Sequence, residues 1–205
     1  MSSIILAGGH SSRLKQDKCS LVLAGEVLLQ RLIIRLSRLD GEVIVVVTPG
    51  QKEPFSSRPR HVKIATDAYS GRGPLMGIYS GLKLSQDRHS VAVACDMPFL
   101  NIKLLRYMMD LSGGFDVVIP SIRGLLEPLH AVYSTKCLAI MESMLEDGNF
   151  KVSDLLKRVK VRYVEESEID SFDPQHLSLF NINTPADLER AEQIVSREEV
   201  RNDLC

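Results

Sequence analysis

The chain has 205 residues, 44% of them hydrophobic, and a formal net charge of -1. A core of ordinary size is within reach and a single domain over residues 1–205 is expected, while the near-zero charge excludes a whole-protein field that would draw in nucleic acid, so any anion site must be built locally. The longest apolar runs, such as VIVVV at 43–47, are far too short to span a bilayer, and the N-terminus lacks a basic segment followed by an extended apolar one, so a cytoplasmic protein without membrane contact is expected.

In chain order, short runs rich in Ile and Val recur at 3–7, 42–48, 62–66, 90–94 and 116–120, and their length and β-branched content predict buried strands. Helical periodicity lies between and after them, at 27–39, 74–85, 102–111, 135–146 and 152–159. That alternation predicts an α/β fold in three layers, with a mostly parallel central sheet covered on both faces. Residues 51–60, QKEPFSSRPR, carry no apolar period and predict a mobile surface loop. Residues 125–134 read as extended, but Pro128 within them argues for an edge strand or a bend. The last helix is the best marked: Thr184 can cap it, Pro185 suits its first position, and Asp187 completes a capping box, with an end expected near Val200.

The four cysteines (Cys19, Cys95, Cys137, Cys205) show no C-x-x-C pair, and the five histidines form no cluster in the sequence. Reduced thiols are expected, and neither a zinc site nor a catalytic thiol.

Ligands of an open parallel sheet bind beyond the carboxyl ends of its strands. The loops so nominated begin at Gly8, Asp67 and Asp96. In the first, IILAGGHSSRLKQDK, Gly8 and Gly9 let backbone N–H groups approach a ligand closely, Ser11 and Ser12 add hydroxyls, Arg13 offers a planar fork of donors and Lys18 a compact charge. A phosphate chain fits such a loop, and so does an ordinary strand-to-helix turn. The Walker ending Gly-Lys-Ser/Thr is absent and Gly8-Gly9-His10 breaks the dinucleotide pattern, so neither a P-loop enzyme nor a simple dehydrogenase is expected. Asp96 follows a buried strand in VAVACDMPFL, where a carboxylate can hold Mg²⁺ together with substrate phosphate oxygens, or instead cap the helix starting near Asn101. Asp67 ends the third strand in the same manner, as a ligand contact or a turn-forming Asp.

These residues resemble a known family. LAGGHSSRLKQDK at 6–18 is similar to the L-A-G-G-x-S-x-R-M-G-x-D-K signature of molybdenum cofactor guanylyltransferases. TDAYSGRGPLMGIYSGL at 66–82, CDMPFL at 95–100 and NINTPADL at 181–188 resemble the family's later motifs, in the right order. The resemblance implies a Rossmann-like nucleotidyltransferase of the glycosyltransferase-A-like type that joins GMP from GTP to molybdenum-molybdopterin and releases pyrophosphate. It further implies Mg²⁺ as cofactor and transient docking to molybdopterin-handling proteins and acceptor molybdoenzymes. Carried over by motif, Leu6, Ala7, Gly8, Gly9, Lys18, Asp67 and Asp96 contact the nucleotide or its metal, Arg13 sits by the phosphates, and Asn181 and Asn183 lie on the pterin side. The pattern departs from the family at Leu14 and Lys15, where Met and Gly are usual. Relatives that use CTP tend to read L-A-A-G, so Gly8 implies room for a purine. A cytidylyltransferase, another cofactor nucleotidyltransferase of this fold, and a non-catalytic nucleotide-binding homologue are the competing readings.

Overall fold

The computed structural model describes residues 2–8, 20–51, 55, 59–67 and 73–202. Arg13, Lys18, Gly9 and Lys15 lie outside these residues, as does most of the 51–60 loop.

The chain begins with β1 (Ser2–Leu6), a short hairpin of β2 (Val22–Leu23) and β3 (Glu26–Val27), and α1 (Leu28–Leu36). Then come β4 (Val43–Val47), β5 (Val62–Thr66), α2 (Pro74–Leu84), β6 (His89–Ala94) and α3 (Ile102–Asp110). The remainder comprises β7 (Val117–Ile122), β8 (Leu125–Leu126), β9 (His130–Ser134), α4 (Cys137–Glu146), α5 (Val152–Leu156), β10 (Val161–Glu165), α6 (Glu166–Asp170) and α7 (Pro185–Asn202). Among the described residues no helix is long and apolar enough to cross a membrane.

The main sheet runs in the order β10-β7-β9-β6-β1-β4-β5, with β8 beside β7. β1 is parallel to β4 and β6, β4 to β5, and β10 to β7, whereas β9 is antiparallel to both of its neighbours. The sheet is thus mostly parallel, as expected, with one reversed strand in its interior. Parallel strands covered on both faces need apolar residues at every position, and the fully buried VIVVV of β4 meets that requirement.

One core packs α1, α3 and α6 on one face of the sheet; a second packs α2, α4 and α5 on the other. α2 lies unusually close to β1. A Cβ built on Gly81 would stand 2.4 Å from Ile4 Cγ2, and one on Gly77 would stand 2.7 Å from Leu6 Cδ2, so glycine at these positions lets the helix ride directly on the strand. A third, smaller core joins Leu21, Leu23, Leu28 and Phe99 to Ile182 and to Ala191 and Val195 of α7.

The start of α7 forms as its sequence predicts: the Asp187 N–H donates to Thr184 Oγ1 at 3.2 Å, and Asp187 Oδ2 accepts from the Thr184 N–H at 2.8 Å. Residues 125–134 differ from a simple edge strand. The chain bends at Pro128, where the His130 N–H donates to the Glu127 carbonyl at 3.2 Å, and then enters the sheet interior as β9, buried along its whole length. Pro128 tolerates this position because it lies in the turn, where it owes no ladder hydrogen bond. The hairpin at 22–27, β10 and α6 carry no pattern strong enough for sequence reading: they are two to five residues long, and β10 has only one buried residue.

Candidate functional site

The carboxyl ends of β1, β4, β6 and β5 lie along one rim. Leu6 is level with Val46 of β4 and with Ala94 of β6, and Val47 is level with Thr66 of β5. Beyond that rim the backbone continues to pair for one more residue. The Ala7 N–H donates to the Val46 carbonyl at 2.8 Å, the Cys95 N–H to the Leu6 carbonyl at 3.2 Å, and the Asp67 N–H to the Val47 carbonyl at 2.8 Å. Ala7, Asp67 and Asp96 therefore begin their loops from anchored positions on the sheet.

Gly8 is exposed at this rim and passes hard against the β4 loop: a Cβ there would meet Thr48 Cγ2 at 2.8 Å. Thr48 is itself held, since its backbone N–H and its hydroxyl both donate to Gln51 Oε1, at 3.1 and 3.2 Å, while Gln51 Nε2 donates to the Ala7 carbonyl at 3.4 Å. The glycine thus has a packing reason, apart from any ligand. Leu6 contributes differently, for its side chain points to α2 and packs in the core of that face.

Asp96 is 6% exposed. Its alternative role as a helix cap belongs to another residue: Asn101 Oδ1 accepts from the N–H groups of Lys103 and Leu104, at 3.0 and 3.1 Å, and so caps α3. Asn101 Nδ2 also donates to the Phe172 carbonyl at 2.8 Å, which ties the start of α3 to the C-terminal segment. Asp96 is fixed through its backbone, whose carbonyl accepts the Ile182 N–H at 2.9 Å. Ile182 is fully buried and stands between Asn181 and Asn183, so the NINTPADL segment is clamped alongside the metal-ligand candidate. Asn181 Nδ2 donates to the Leu179 carbonyl at 3.1 Å, and the Asn183 N–H donates to Asp187 Oδ2 at 3.1 Å.

Asp67 is 9% exposed and belongs to the other end of the rim. Three strand intervals separate β5 from β6, which at ~4.8 Å each is roughly 14 Å. The geometry divides the predicted residues into an Asp67 end and an Asp96 end, with Gly8 between them.

One functional candidate goes beyond the sequence reading. Glu127 lies in the turn before β9, which is held to the end of β6 where the Ala94 N–H donates to the Leu129 carbonyl at 3.0 Å. Burial, reinforced by the Asp96 charge, holds the Glu127 carboxyl above the usual carboxylate range, against hydrogen bonds from the Leu129 N–H at 3.3 Å and from Asn181. The sequence signal was a lone charge inside the apolar run LLEPLHAV. The cluster as a whole presents hard oxygen donors, two carboxylates and a carboxamide, of the chemistry that suits Mg²⁺ beside phosphate oxygens.

Among the described residues, no three His, Cys, Asp or Glu side chains group to hold a metal ion. Cys95 and Cys137 are buried, and burial raises the Cys137 thiol to about 12. His89 Nε2 contacts the Phe115 carbonyl and His176 pairs with Asp170. His130 is fully buried with no hydrogen-bond partner on either ring nitrogen, and desolvation lowers it to about 4 against the opposing pull of Asp173.

Comparison with known proteins shows the family. The family model of the MobA-like NTP transferase domain matches residues 3–163. A protein of Pelotomaculum thermopropionicum named "Probable molybdenum cofactor guanylyltransferase" is 37% identical over 190 residues, covering 93% of this chain and 91% of its own. The molybdenum cofactor guanylyltransferase of Desulfosudis oleivorans is 30% identical over 197 residues, covering 95% and 96%. Among solved structures, molybdopterin-guanine dinucleotide biosynthesis protein A from Archaeoglobus fulgidus superposes with a TM-score of 0.84 at 30% identity, over 96% of this chain and 100% of that one.

Proposed function

Because the chain belongs to the MobA-like NTP transferase family, we propose that it transfers GMP from GTP to molybdenum-molybdopterin, forming the guanine dinucleotide cofactor and pyrophosphate. The observation that supports this reading is the bond from the Ile182 N–H to the Asp96 carbonyl, which holds the segment proposed for the pterin side beside the residue proposed for the nucleotide's phosphates. Acceptor and donor then meet at one strand end.

The acceptor phosphate is already anionic, so its attack on the α-phosphorus of GTP calls for no strong base, and catalysis becomes positioning and charge neutralisation. Gly8 and Gly9 bring backbone N–H groups to the triphosphate, while Arg13 and Lys18 offset the charge that builds on pyrophosphate as it leaves. Ala7 and Leu6 hold the loop to the sheet, the first through its backbone and the second through its packing under α2. Asp67, three strand intervals along the rim, would contact GTP or its metal. Asp96 would hold the Mg²⁺. When bound, that ion supplies positive charge to phosphate oxygens and helps align the reacting groups. Asn181 and Asn183 present their side to the pterin.

The test is pyrophosphate release with molybdenum-loaded molybdopterin, Mg²⁺ and a panel of nucleotides. Release is expected with GTP; release with CTP alone would overturn the base assignment, and a folded, GTP-binding protein that releases none would overturn the transferase reading. Gly8 serves base size in this reading, yet it also packs on Thr48. Gly8→Ala alone and combined with Thr48→Ser, which removes the methyl in the way, separates the two roles. The double variant is expected to regain the stability of the parent within about 1 kcal/mol while remaining impaired with GTP.

A further inference from the structure

At the rim, neighbouring strands part in two different ways. The β1–β6 pair continues through the Cys95 N–H to the Leu6 carbonyl at 3.2 Å, and the β4–β5 pair through the Asp67 N–H to the Val47 carbonyl at 2.8 Å. Between β1 and β4 the Ala7 N–H still donates to the Val46 carbonyl at 2.8 Å. In a parallel ladder the residue that donates to one position accepts from the position two further on, so the next bond would run from the Thr48 N–H to the Ala7 carbonyl. The Thr48 N–H donates instead to Gln51 Oε1 at 3.1 Å, and Gln51 Nε2 donates to the Ala7 carbonyl at 3.4 Å. A side-chain carboxamide carries the same kinds of donor and acceptor as a peptide group, and here it is spliced into the ladder as one inserted rung.

A tight turn delivers Gln51 to that place. Its own N–H donates to the Thr48 carbonyl at 3.1 Å, and Gly50 takes a φ of 78°, a conformation that glycine adopts without steric cost. Oε1 also accepts from the Thr48 hydroxyl at 3.2 Å, which fixes the side chain whose Cγ2 would stand 2.8 Å from a Cβ on Gly8. A cap for the turn alone needs only the bonds to Thr48. The bond to the Ala7 carbonyl crosses to the strand that feeds the glycine loop, so the amide sets both the spacing of β1 and β4 where their loops diverge and the surface on which Gly8 rests. We infer that Gln51 is a positioning residue of the nucleotide site, holding the gap between these two loops at the width that GTP requires. The inference rests on the proposed transferase function, which makes the loop at Gly8 the nucleotide's. The fold itself has another way to satisfy both backbone groups, because without the amide the Thr48 N–H and the Ala7 carbonyl can pair directly across a narrower gap.

The experiment uses the full chain with Mg²⁺ and measures GTP binding by calorimetry, KM and kcat for GTP in pyrophosphate release, and the melting temperature without nucleotide. Gln51→Ala removes the amide, whereas Gln51→Met keeps its bulk without its bonds. Both are expected to weaken GTP binding and to raise the KM for GTP about tenfold, the scale of one or two neutral hydrogen bonds. The kcat should change little, because the residues proposed for the phosphates are untouched, and Gln51→Ala should melt where the parent does. Parent-like GTP affinity in both variants overturns the inference, and parent-like affinity in Gln51→Met alone overturns the role of the bonds. A lowered melting temperature of Gln51→Ala overturns it as well, since that marks a brace of the sheet, and so does a kcat that falls while KM stays. A parent protein that binds no GTP is a different failure, because it removes the nucleotide from this rim and takes the transferase reading with it.

Discussion

The two halves of the sheet are built on different terms. From β5 through β4 and β1 to β6 each strand is parallel to the next, and each is followed by a helix or loop before the next strand begins. In β9, β7, β8 and β10 the chain doubles back: β9 is inserted between β6 and β7 against their direction, and the edge strand β10 arrives from much later in the sequence. The first half supplies the rim from Gly8 to Asp67, and the second brings Glu127, with the C-terminal segment closing over the seam at Asp96. Gly8 and Asp67 thus arise from local repetition, whereas Glu127 and the NINTPADL segment arise from long-range return of the chain.

The largest expected effect is at the seam. Asp96→Ala should reduce pyrophosphate release on the order of 10³-fold while circular dichroism shows the fold retained, because the bond to Ile182 uses the Asp96 backbone. Unchanged turnover would remove Asp96 from the site and leave the two halves meeting there for packing alone.

The second half is tested by pH. His130 is neutral in its buried place and its folded value, about 4, lies below its ordinary 6.5, so the unfolded chain binds the extra proton first. The stability this contributes is fully present above pH 6.5 and is lost as pH falls toward 4, a loss on the order of 3 kcal/mol. Urea unfolding across that range should show a steeper decline for the parent than for His130→Leu. Equal slopes would mean that water or a partner reaches the imidazole.

The first half is tested by volume. Gly81→Ala should destabilise by about 2 kcal/mol, since its Cβ would stand 2.4 Å from Ile4 Cγ2 and the helix must lift off β1. Measured by thermal unfolding, a neutral result would show that the close approach of α2 is not needed. The smallest effect is at the border of the closing segment, where Thr184→Ala should cost about 1 kcal/mol through loss of the cap on α7.

Much of this protein was legible before folding. The strands at 43–47, 62–66 and 89–94 are apolar runs of the right length, the capping box at Thr184 forms with the partners its spacing names, and the rim residues Gly8, Asp67 and Asp96 follow from strand ends in an open α/β sheet. Those features depend on neighbours a few residues away, and a sequence writes such neighbours directly. What only the tertiary structure decided depends on residues far apart. Pro128 argued for an edge strand or a bend, and the structure has the bend; the placement of β9 inside the sheet is a choice among pairing partners of similar apolar content. That Asn101 rather than Asp96 caps α3 and that Gly8 is pressed by Thr48 are both outcomes of packing. Local pattern selects which elements form; close packing and the cost of burying charge select which side chains then meet.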